Sequence, residues 1–166
     1  MDILLPNLEQ EVVDVNLVQK QTDAGERSRF KAFVAVGNRD GFVGVGTGKA
    51  KHVLSGINKA VVEAKLAITR IQRGCGSWEC ACGGRHSLLS RVEGKSGSVK
   101  IILLPAPQGT GIVAADMAKT VLSLAGVEDC WTRTFGKTRT TLSVTGATFE
   151  ALRNTNKIVL PSMWTR

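Results

Sequence analysis

The sequence LLPAPQGTGIV at residues 103–113 is the clearest structural signal in this chain. It begins as an apolar strand, breaks at a Pro/Gly turn and leads into a segment with helical periodicity. A turn between a strand and a helix can point several backbone N–H groups at one anion, where the helix dipole also favours negative charge. Gly109, Thr110 and Gly111 are therefore candidate phosphate contacts. The alternative is a plain connection, in which Pro ends the strand and Gly permits unusual backbone angles.

The chain is strongly basic, and the charge is unevenly distributed. Its 166 residues contain 22 Lys and Arg and 14 Asp and Glu, so the formal net charge is +8 at pH 7. Residues 1–19 carry acidic side chains and no Lys or Arg, whereas basic residues predominate from Lys20 to Arg73 and again after Gly74. Such a balance is typical of a nucleic-acid-binding protein. Because the basic residues lie between short apolar runs with Val, Ile and Leu periodicity, they predict a charged face on a folded domain and not a disordered tail.

The composition also favours a cytoplasmic location. Hydrophobic residues make up 43% of the chain, enough for a core, and no apolar run approaches the roughly 18 residues of a membrane span. The first residues show neither the basic nor the apolar region of a secretory signal. The four cysteines fit a reducing compartment, where disulfides are rare.

Hydrophobic periodicity predicts three strands and then a helix in the first half. A polar loop at residues 22–28 separates the first two strands, and Asn38 to Gly41 form a hairpin turn in which Asn and Gly tolerate positive φ. The predicted elements are strands at 11–20, 30–36 and 42–48, and a helix from 53 to about 73.

The second half predicts another mixed sheet and helix unit. Periodicity breaks between Gly74 and Gly84, and Gly126 is a good helix stop. The predicted elements are strands at 86–92 and 97–104 joined by a turn at 93–96, a helix at 114–125, a strand at 127–134 and a helix at 140–154.

These patterns predict an α+β protein in which each half is a sheet with helices on one face. The expected divisions are an N-terminal segment at 1–10, a first domain at 11–74, a Cys/Gly-rich linker at 75–85, a second domain at 86–155 and a tail at 156–166.

Four segments, in order along the chain, resemble the archaeal and eukaryotic type of the small-subunit ribosomal protein S5 family. They are VGNRDGFVGVGTGKA at 36–50, RGCGSWEC at 73–80, LPAPQGTG at 104–111 and the stretch from Ala125 to Thr134. The resemblance implies a first domain similar to the double-stranded-RNA-binding domain (β-β-β-α). It also implies a second domain of two layers, with a β-α-β unit and a left-handed crossover. Members of this type usually have a longer N-terminal extension than this chain shows.

The resemblance further implies a structural role without catalysis. Family members bind small-subunit ribosomal RNA and neighbouring ribosomal proteins close to where mRNA enters, and they support subunit assembly and translational accuracy. The expected partners are therefore ribosomal RNA, neighbouring small-subunit proteins and mRNA, with no membrane.

Several basic and glycine residues are candidates for RNA contacts. In the family the loop corresponding to residues 22–29 reaches into ribosomal RNA, and its glycine permits a close backbone approach while arginines bridge phosphates or stack on bases. The alternative is an ordinary hairpin loop with solvated charges. The candidate RNA-binding residues are Lys20, Gly25, Arg27, Arg29, Arg39, Lys49, Lys51, Gly109, Thr110, Gly111, Arg133, Lys137 and Arg139.

A second constellation has the chemistry of a metal site. Cys75, Cys80, Cys82 and His86 follow the spacing C-x4-C-x-C-x3-H, and thiolate and imidazole ligands suit tetrahedral zinc. The C-x-C spacing is shorter than the usual C-x2-4-C. The alternative is a Gly-rich loop whose small thiols pack against Trp78.

Enzyme alternatives rest on weaker patterns. The glycines between Gly41 and Lys49 do not fit a P-loop, which needs Gly-Lys followed by Ser or Thr, whereas Lys49 precedes Ala50. They indicate instead a strand that RNA or another backbone approaches closely. A small-molecule kinase with Gly109 to Gly111 at the ATP phosphates is one alternative, and a free duplex-RNA-binding module acting outside the ribosome is another.

Overall fold

The structure is a computed structural model that describes residues 7–157. The strands are β1 (Glu9–Thr22), β2 (Gly25–Gly37), β3 (Phe42–Ala50), β4 (Thr69–Arg70), β5 (Arg73–Gly74), β6 (Ser87–Leu88), β7 (Val92–Ser96), β8 (Val99–Pro105), β9 (Ile112–Val113) and β10 (Cys130–Phe135). The helices are α1 (Val53–Leu66), α2 (Asp116–Leu124) and α3 (Thr141–Asn154), followed by a 3₁₀ turn at Thr155–Lys157. None of the helices in this described part is long and apolar enough to cross a membrane.

The first sheet has the strand order β1-β2-β3-β4, with every pair antiparallel. Helix α1 packs on one face of it, where Val34 and Val36 contact Ala60 and Ala64. Alternating glycines in β3 allow this close approach. A Cβ atom on Gly46 would lie 2.2 Å from the Ala60 carbonyl oxygen. The glycines of β3 therefore accommodate another backbone, which is one of the two roles expected of them.

The predicted polar loop at residues 22–28 is wrong. The β1–β2 ladder continues through the pairs Lys20 with Arg27 and Thr22 with Gly25, so that only two residues form the turn. Gly25 has φ +111, a conformation that glycine adopts readily. The polar residues of this segment hide the strand pattern. A solvated hairpin does not need alternating apolar residues.

Helix α1 is shorter than the predicted helix from 53 to about 73. It ends at Leu66, and Thr69 and Arg70 form β4 against Val43 and Phe42. The Ile71 N–H then donates to the Gly41 carbonyl at 2.7 Å. The helical spacing of apolar residues continues beyond Leu66. The helix nevertheless ends there, because Thr69 and Arg70 pair with the edge of the sheet and Ile71 is buried.

The second large sheet has the order β7-β8-β10-β9. Strands β7, β8 and β10 pair antiparallel, and β9 pairs parallel with β10, so β9, α2 and β10 form a β-α-β unit. Helices α2 and α3 contribute Val121, Leu122, Val144 and Leu152 to the core cluster with β8. The α+β class and the two-part order of elements are thus confirmed.

The strand predicted at 86–92 and the turn predicted at 93–96 are both misplaced. The strand is split into β6, which pairs with β5, and β7, which continues to Ser96. The turn lies at Gly97, which has φ +59. Gly94 is instead inside β7, where an added Cβ would lie 2.2 Å from the Ala147 carbonyl oxygen. Its absent side chain permits packing against α3 and does not form a turn.

The turn in residues 103–113 does not lead directly into a helix as predicted. Strand β9 follows Gly111, and α2 begins only at Asp116. The predicted helix stop at Gly126 is confirmed. Gly126 has φ +78 and its N–H donates to the Ser123 carbonyl at 2.9 Å. The predicted final helix at 140–154 matches α3 to within one residue, whereas the strand predicted at 127–134 is observed at Cys130–Phe135.

Backbone hydrogen bonds connect the two halves of the molecule. The N–H of Arg39 donates to the Leu124 carbonyl at 2.9 Å, and the N–H of Gly41 donates to the Ala125 carbonyl at 3.1 Å. One buried cluster contains Ala35 and Val43 from the first sheet together with the core of the second. The division into domains at 75–85 stays a prediction, and positions 1–6 and 158–166 of the predicted end segments lie outside the described residues.

Candidate nucleic-acid interface and metal centre

Four predicted RNA-binding side chains lie together in one groove. Lys20, Arg27, Arg29 and Lys49 line a groove of about 230 Å³, together with Val18 and Thr22. The β-ladder explains this arrangement, because Lys20 pairs with Arg27 and Val18 pairs with Arg29. Directly paired residues of antiparallel strands point to the same face. The face of the hairpin, and not a flexible loop, therefore gathers the positive charge.

Lys31 is a fifth cation on this face, and sequence reasoning missed it. It pairs with Lys49 across β2 and β3. Its Nζ atom lies 5.1 Å from the centre of the Phe33 ring, which holds the ammonium group by a cation–π contact. Its position two residues from Arg29 was the available signal, because alternate residues of a strand share a face.

The groove keeps its positive charge. Within residues 7–157, no ion pair neutralises Lys20, Arg27, Arg29 or Lys49. All four side chains are exposed. Like charges gathered without counterions attract a polyanion, and each contact with a phosphate releases condensed cations. The groove can thus bind a sugar–phosphate backbone.

Arg39 has a different position from the other candidates. Its guanidinium lies 2.7 Å from Glu9, and its backbone adopts φ 54 in the turn between β2 and β3. The adjacent Arg73 donates to the Gly126 carbonyl at 3.0 Å and pairs with Asp40. Arg39 therefore lies at the junction of the two halves and outside the groove.

Two N–H groups of the turn at Gly109, Thr110 and Gly111 already donate hydrogen bonds to acceptors within the protein. The Thr110 N–H donates to the Pro107 carbonyl at 3.3 Å, and the Gly111 N–H donates to Asp129 Oδ1 at 2.7 Å. An anion at this turn would have to replace the Asp129 carboxylate. This arrangement does not provide the open set of N–H groups that the ATP-binding alternative requires.

The remaining candidates lie on exposed positions. Lys51 follows β3, one residue before the N-cap of α1. Arg133 lies on β10 between Trp131 and Phe135, which are 39% and 54% exposed on the same side of the strand. Lys137 and Arg139 occupy the segment between β10 and α3. The structure does not place these residues in the groove of the β1–β2 hairpin.

The predicted metal ligands come together. The ligand atoms of Cys75, Cys80, Cys82 and His86 all lie within 4.8 Å of one another. His86 Nε2 is 3.1 Å from Cys82 Sγ and 3.8 Å from Cys80 Sγ. Zinc bonds of about 2.0–2.3 Å to nitrogen and sulfur place tetrahedral ligands at separations close to those of His86 Nε2 from the two sulfur atoms. The cluster is a candidate Cys3His zinc centre.

A buried carboxylate orients the histidine of this cluster. His86 Nδ1 donates to Asp129 Oδ2 at 2.7 Å, and both residues are buried. With Nδ1 held in this way, Nε2 faces the sulfur atoms, as in carboxylate–histidine–zinc arrangements. Sequence reasoning missed Asp129, which is 43 residues from His86. The only signal was an acidic residue directly before β10, whose first residue is buried.

The thiols of the cluster do not ionise alike. A hydrogen bond from Cys82, with a second from the Gln108 backbone, lowers the pKa of Cys80 to about 6. Burial, followed by the hydrogen bond with Cys82, raises the pKa of Cys75 to about 11. Zinc binds thiolates, so a ready thiolate at Cys80 favours metal binding. The alternative of thiols packed against Trp78 is wrong, because that side chain is 91% exposed.

The fourth cysteine, Cys130, is separate from the cluster. It is fully buried, and burial raises its pKa to about 12. It therefore behaves as a small apolar core residue.

Comparisons with known proteins identify relatives along most of the chain. Two family models match, the N-terminal domain of ribosomal protein S5 over residues 8–72 and its C-terminal domain over residues 94–165. Small ribosomal subunit protein uS5 of Staphylothermus marinus is 59% identical over 164 residues, which cover 99% of this chain and 77% of that protein. The uS5 protein of Pyrobaculum islandicum is 60% identical over 155 residues, which cover 93% of this chain and 77% of that protein. The uS5 protein of Aeropyrum pernix is 57% identical over 164 residues, which cover 99% of this chain and 75% of that protein.

Proposed function

The chain belongs to the ribosomal protein S5 family, and from that premise we propose that its hairpin groove binds the phosphate backbone of small-subunit ribosomal RNA. Membership makes the chain a structural, RNA-binding component of the small ribosomal subunit and not an enzyme. The observation that carries the proposal is the gathering of Lys20, Arg27, Arg29 and Lys49 in one groove, where no side chain of residues 7–157 neutralises them in an ion pair.

The groove binds by position and charge, and not by reading bases. Arginine presents a planar fork that matches two phosphate oxygens, whereas lysine supplies a compact charge. Contacts with phosphates fix the register of a protein on its nucleic acid without carrying sequence information. The two long strands keep Arg27 and Arg29 on one face, so a single stretch of RNA backbone meets both side chains.

We expect the double variant Arg27→Gln/Arg29→Gln to bind a small-subunit ribosomal RNA fragment less tightly and with less dependence on salt. Each lost phosphate contact lowers the slope of log K against log [salt] by about 1, so the double variant should lose about 2. Filter binding over a range of salt concentrations measures both quantities.

The matched control is Lys59→Gln/Lys119→Gln, which removes the same charge from exposed positions on α1 and α2. This control should retain most of the slope. Equal losses in the two double variants would mean that net charge, and not the groove, determines binding.

Other contacts of the assembled protein are proposed on the same premise. Lys51, Gly109, Thr110, Gly111 and Arg39 contact ribosomal RNA or neighbouring small-subunit proteins, as do Arg133, Lys137 and Arg139. The chain is ribosome-bound, and we place it in the cytoplasm, close to where mRNA enters the subunit, where it supports assembly and accuracy. Sedimentation with the small subunit at moderate salt tests the assignment, and a chain that stays at the top of the gradient contradicts it.

We further propose that Cys75, Cys80, Cys82 and His86 hold a structural zinc ion. The supporting observation is that their four ligand atoms converge, with His86 oriented by Asp129. Four protein ligands leave no coordination position for substrate, which is the pattern of a structural site. The ion would connect the two ends of the loop between β5 and β6, because Cys75 directly follows β5 and His86 directly precedes β6.

Cobalt substitution tests this site. We expect Co²⁺ to bind the full chain with the intense visible absorption of a tetrahedral, thiolate-rich site and to be displaced by Zn²⁺. His86→Gln should weaken that absorption strongly, whereas His52→Gln, at an exposed position outside the cluster, should leave it unchanged. A wild-type chain without the tetrahedral spectrum would refute the zinc proposal.

A further inference from the structure

We propose that Asp129 is a positioning residue that couples the metal centre to the turn at residues 107–111. The inference rests on the zinc site of the proposed function and adds a connection between that site and a second part of the molecule. Its basis is the placement of the two oxygens of one buried carboxylate, which have different partners.

The first oxygen fixes a metal ligand. Asp129 Oδ2 accepts from His86 Nδ1 at 2.7 Å. The backbone supports the same pair, because the N–H groups of Glu128 and Asp129 both donate to the His86 carbonyl, at 2.8 and 3.1 Å. The histidine is therefore held against Asp129 through both its ring and its backbone.

The second oxygen fixes the turn. Asp129 Oδ1 accepts from the Gly111 N–H at 2.7 Å, and the Cys130 N–H donates to the Gly111 carbonyl at 3.2 Å. At the other end of the turn, the Gln108 backbone lies beside Cys80, a second metal ligand. Both ends of the turn thus depend on groups that belong to the metal centre or contact it directly.

The middle residue of the turn forms hydrogen bonds that stay inside it: the N–H and Oγ1 of Thr110 both donate to the Pro107 carbonyl, at 3.3 and 2.8 Å. Gly109 and Gly111 adopt φ +88 and +73, and a Cβ added to either would meet no atom of the described residues within 4 Å. Asp129 itself is 3% exposed, and its carbonyl accepts from Ser87 Oγ at 2.5 Å, so the carboxylate has little freedom to move. A metal that fixes Cys80 and His86 will therefore also order Gln108 and Gly111. Binding linkage requires the reverse effect as well.

Hydrogen exchange of the full wild-type chain with and without Zn²⁺ tests the coupling. We expect Zn²⁺ to slow exchange at the Gln108 and Gly111 amides at least tenfold, while amides such as Val34 in the distant β2–β3 ladder change little. This measurement does not depend on any variant folding.

The variant Asp129→Asn tests the residue. Its amide keeps the shape of the side chain but replaces one acceptor oxygen with a donor group, so it cannot accept from both His86 and Gly111. We expect Zn²⁺ affinity to fall 10- to 100-fold, as for other groups that orient metal ligands, and the metal dependence of Gly111 exchange to disappear. Glu128→Gln removes the same charge at the adjacent exposed position and should change neither quantity.

The outcomes separate the two proposals. A chain that binds neither Co²⁺ nor Zn²⁺ refutes both the zinc site and the coupling. A chain that binds Zn²⁺ tightly, but whose Gly111 amide exchanges equally fast with and without it, retains the zinc site and refutes only the coupling. Full Zn²⁺ affinity and unchanged metal-dependent protection in Asp129→Asn would also refute the role of that residue.

Discussion

Gly46→Ala is expected to destabilise the chain by about 3 kcal/mol, because the added methyl group has no space between β3 and α1. Its Cβ would lie 2.2 Å from the Ala60 carbonyl oxygen and 2.3 Å from the Ala64 backbone nitrogen. Both atoms belong to the helix backbone, so no side chain can rotate away. Urea unfolding should show the loss as a midpoint lowered by about 1 M or more.

Gly56→Ala is the matched control for this substitution. Gly56 lies in α1 at the same interface, but among the described residues beyond its own turn of helix its added Cβ would approach no atom closer than 3.6 Å. Alanine is also a better helix former than glycine by about 1 kcal/mol, so this variant should be neutral or slightly more stable. Similar losses at Gly46 and Gly56 would show that the spacing of helix and strand does not depend on the missing Cβ in β3.

The β3 glycines illustrate how far sequence reasoning reaches. Their alternation predicted a strand that something approaches closely, and the structure shows that the approaching group is the backbone of α1. The pattern contained the requirement for space but not the identity of the neighbour. Sequence patterns were sufficient to predict features that depend on neighbouring residues, such as the helix stop at Gly126 and the start of α3.

Elements that depend on distant partners were predicted less well. The end of α1 and the split between β6 and β7 follow from pairing with β3 and β5, which lie elsewhere in the chain. The continuous β1–β2 hairpin was hidden because both of its faces are solvated near the turn. A strand in water needs no apolar alternation, so periodicity does not identify it.

The candidate sites show the same difference between features set by neighbouring residues and features set by distant partners. The residue types and spacing of Cys75, Cys80, Cys82 and His86 made them candidate zinc ligands, with a plain Gly-rich loop as the alternative, and the structure brings the four ligand atoms together. Asp129 could not be found in this way, because its partnership with His86 arises from the meeting of two segments 43 residues apart. The groove was anticipated through Arg27 and Arg29, but as a loop and not as one face of a ladder.

If the proposed zinc site is correct, Cys82→Ser should abolish most of the stabilisation that zinc gives to the chain. Binding to the folded state at a free zinc concentration 1,000 times Kd contributes about 4 kcal/mol, and serine is a poor ligand for zinc beside thiolates. The unfolding free energy of the wild type should therefore differ by about that amount between zinc-saturated and chelator-treated samples. In Cys82→Ser the two samples should unfold almost together.

Cys130→Ser provides the control, since it makes the same chemical change at a cysteine outside the cluster. It lowers stability by placing a hydroxyl group at a fully buried position, but this loss is common to both samples. The difference between zinc-saturated and chelated protein should persist. A full zinc-dependent difference in Cys82→Ser would contradict the assignment of that sulfur as a ligand. Loss of the difference in Cys130→Ser would show that core disruption alone removes the effect. The contrast between the two serine variants therefore separates metal ligation from the general cost of replacing a thiol.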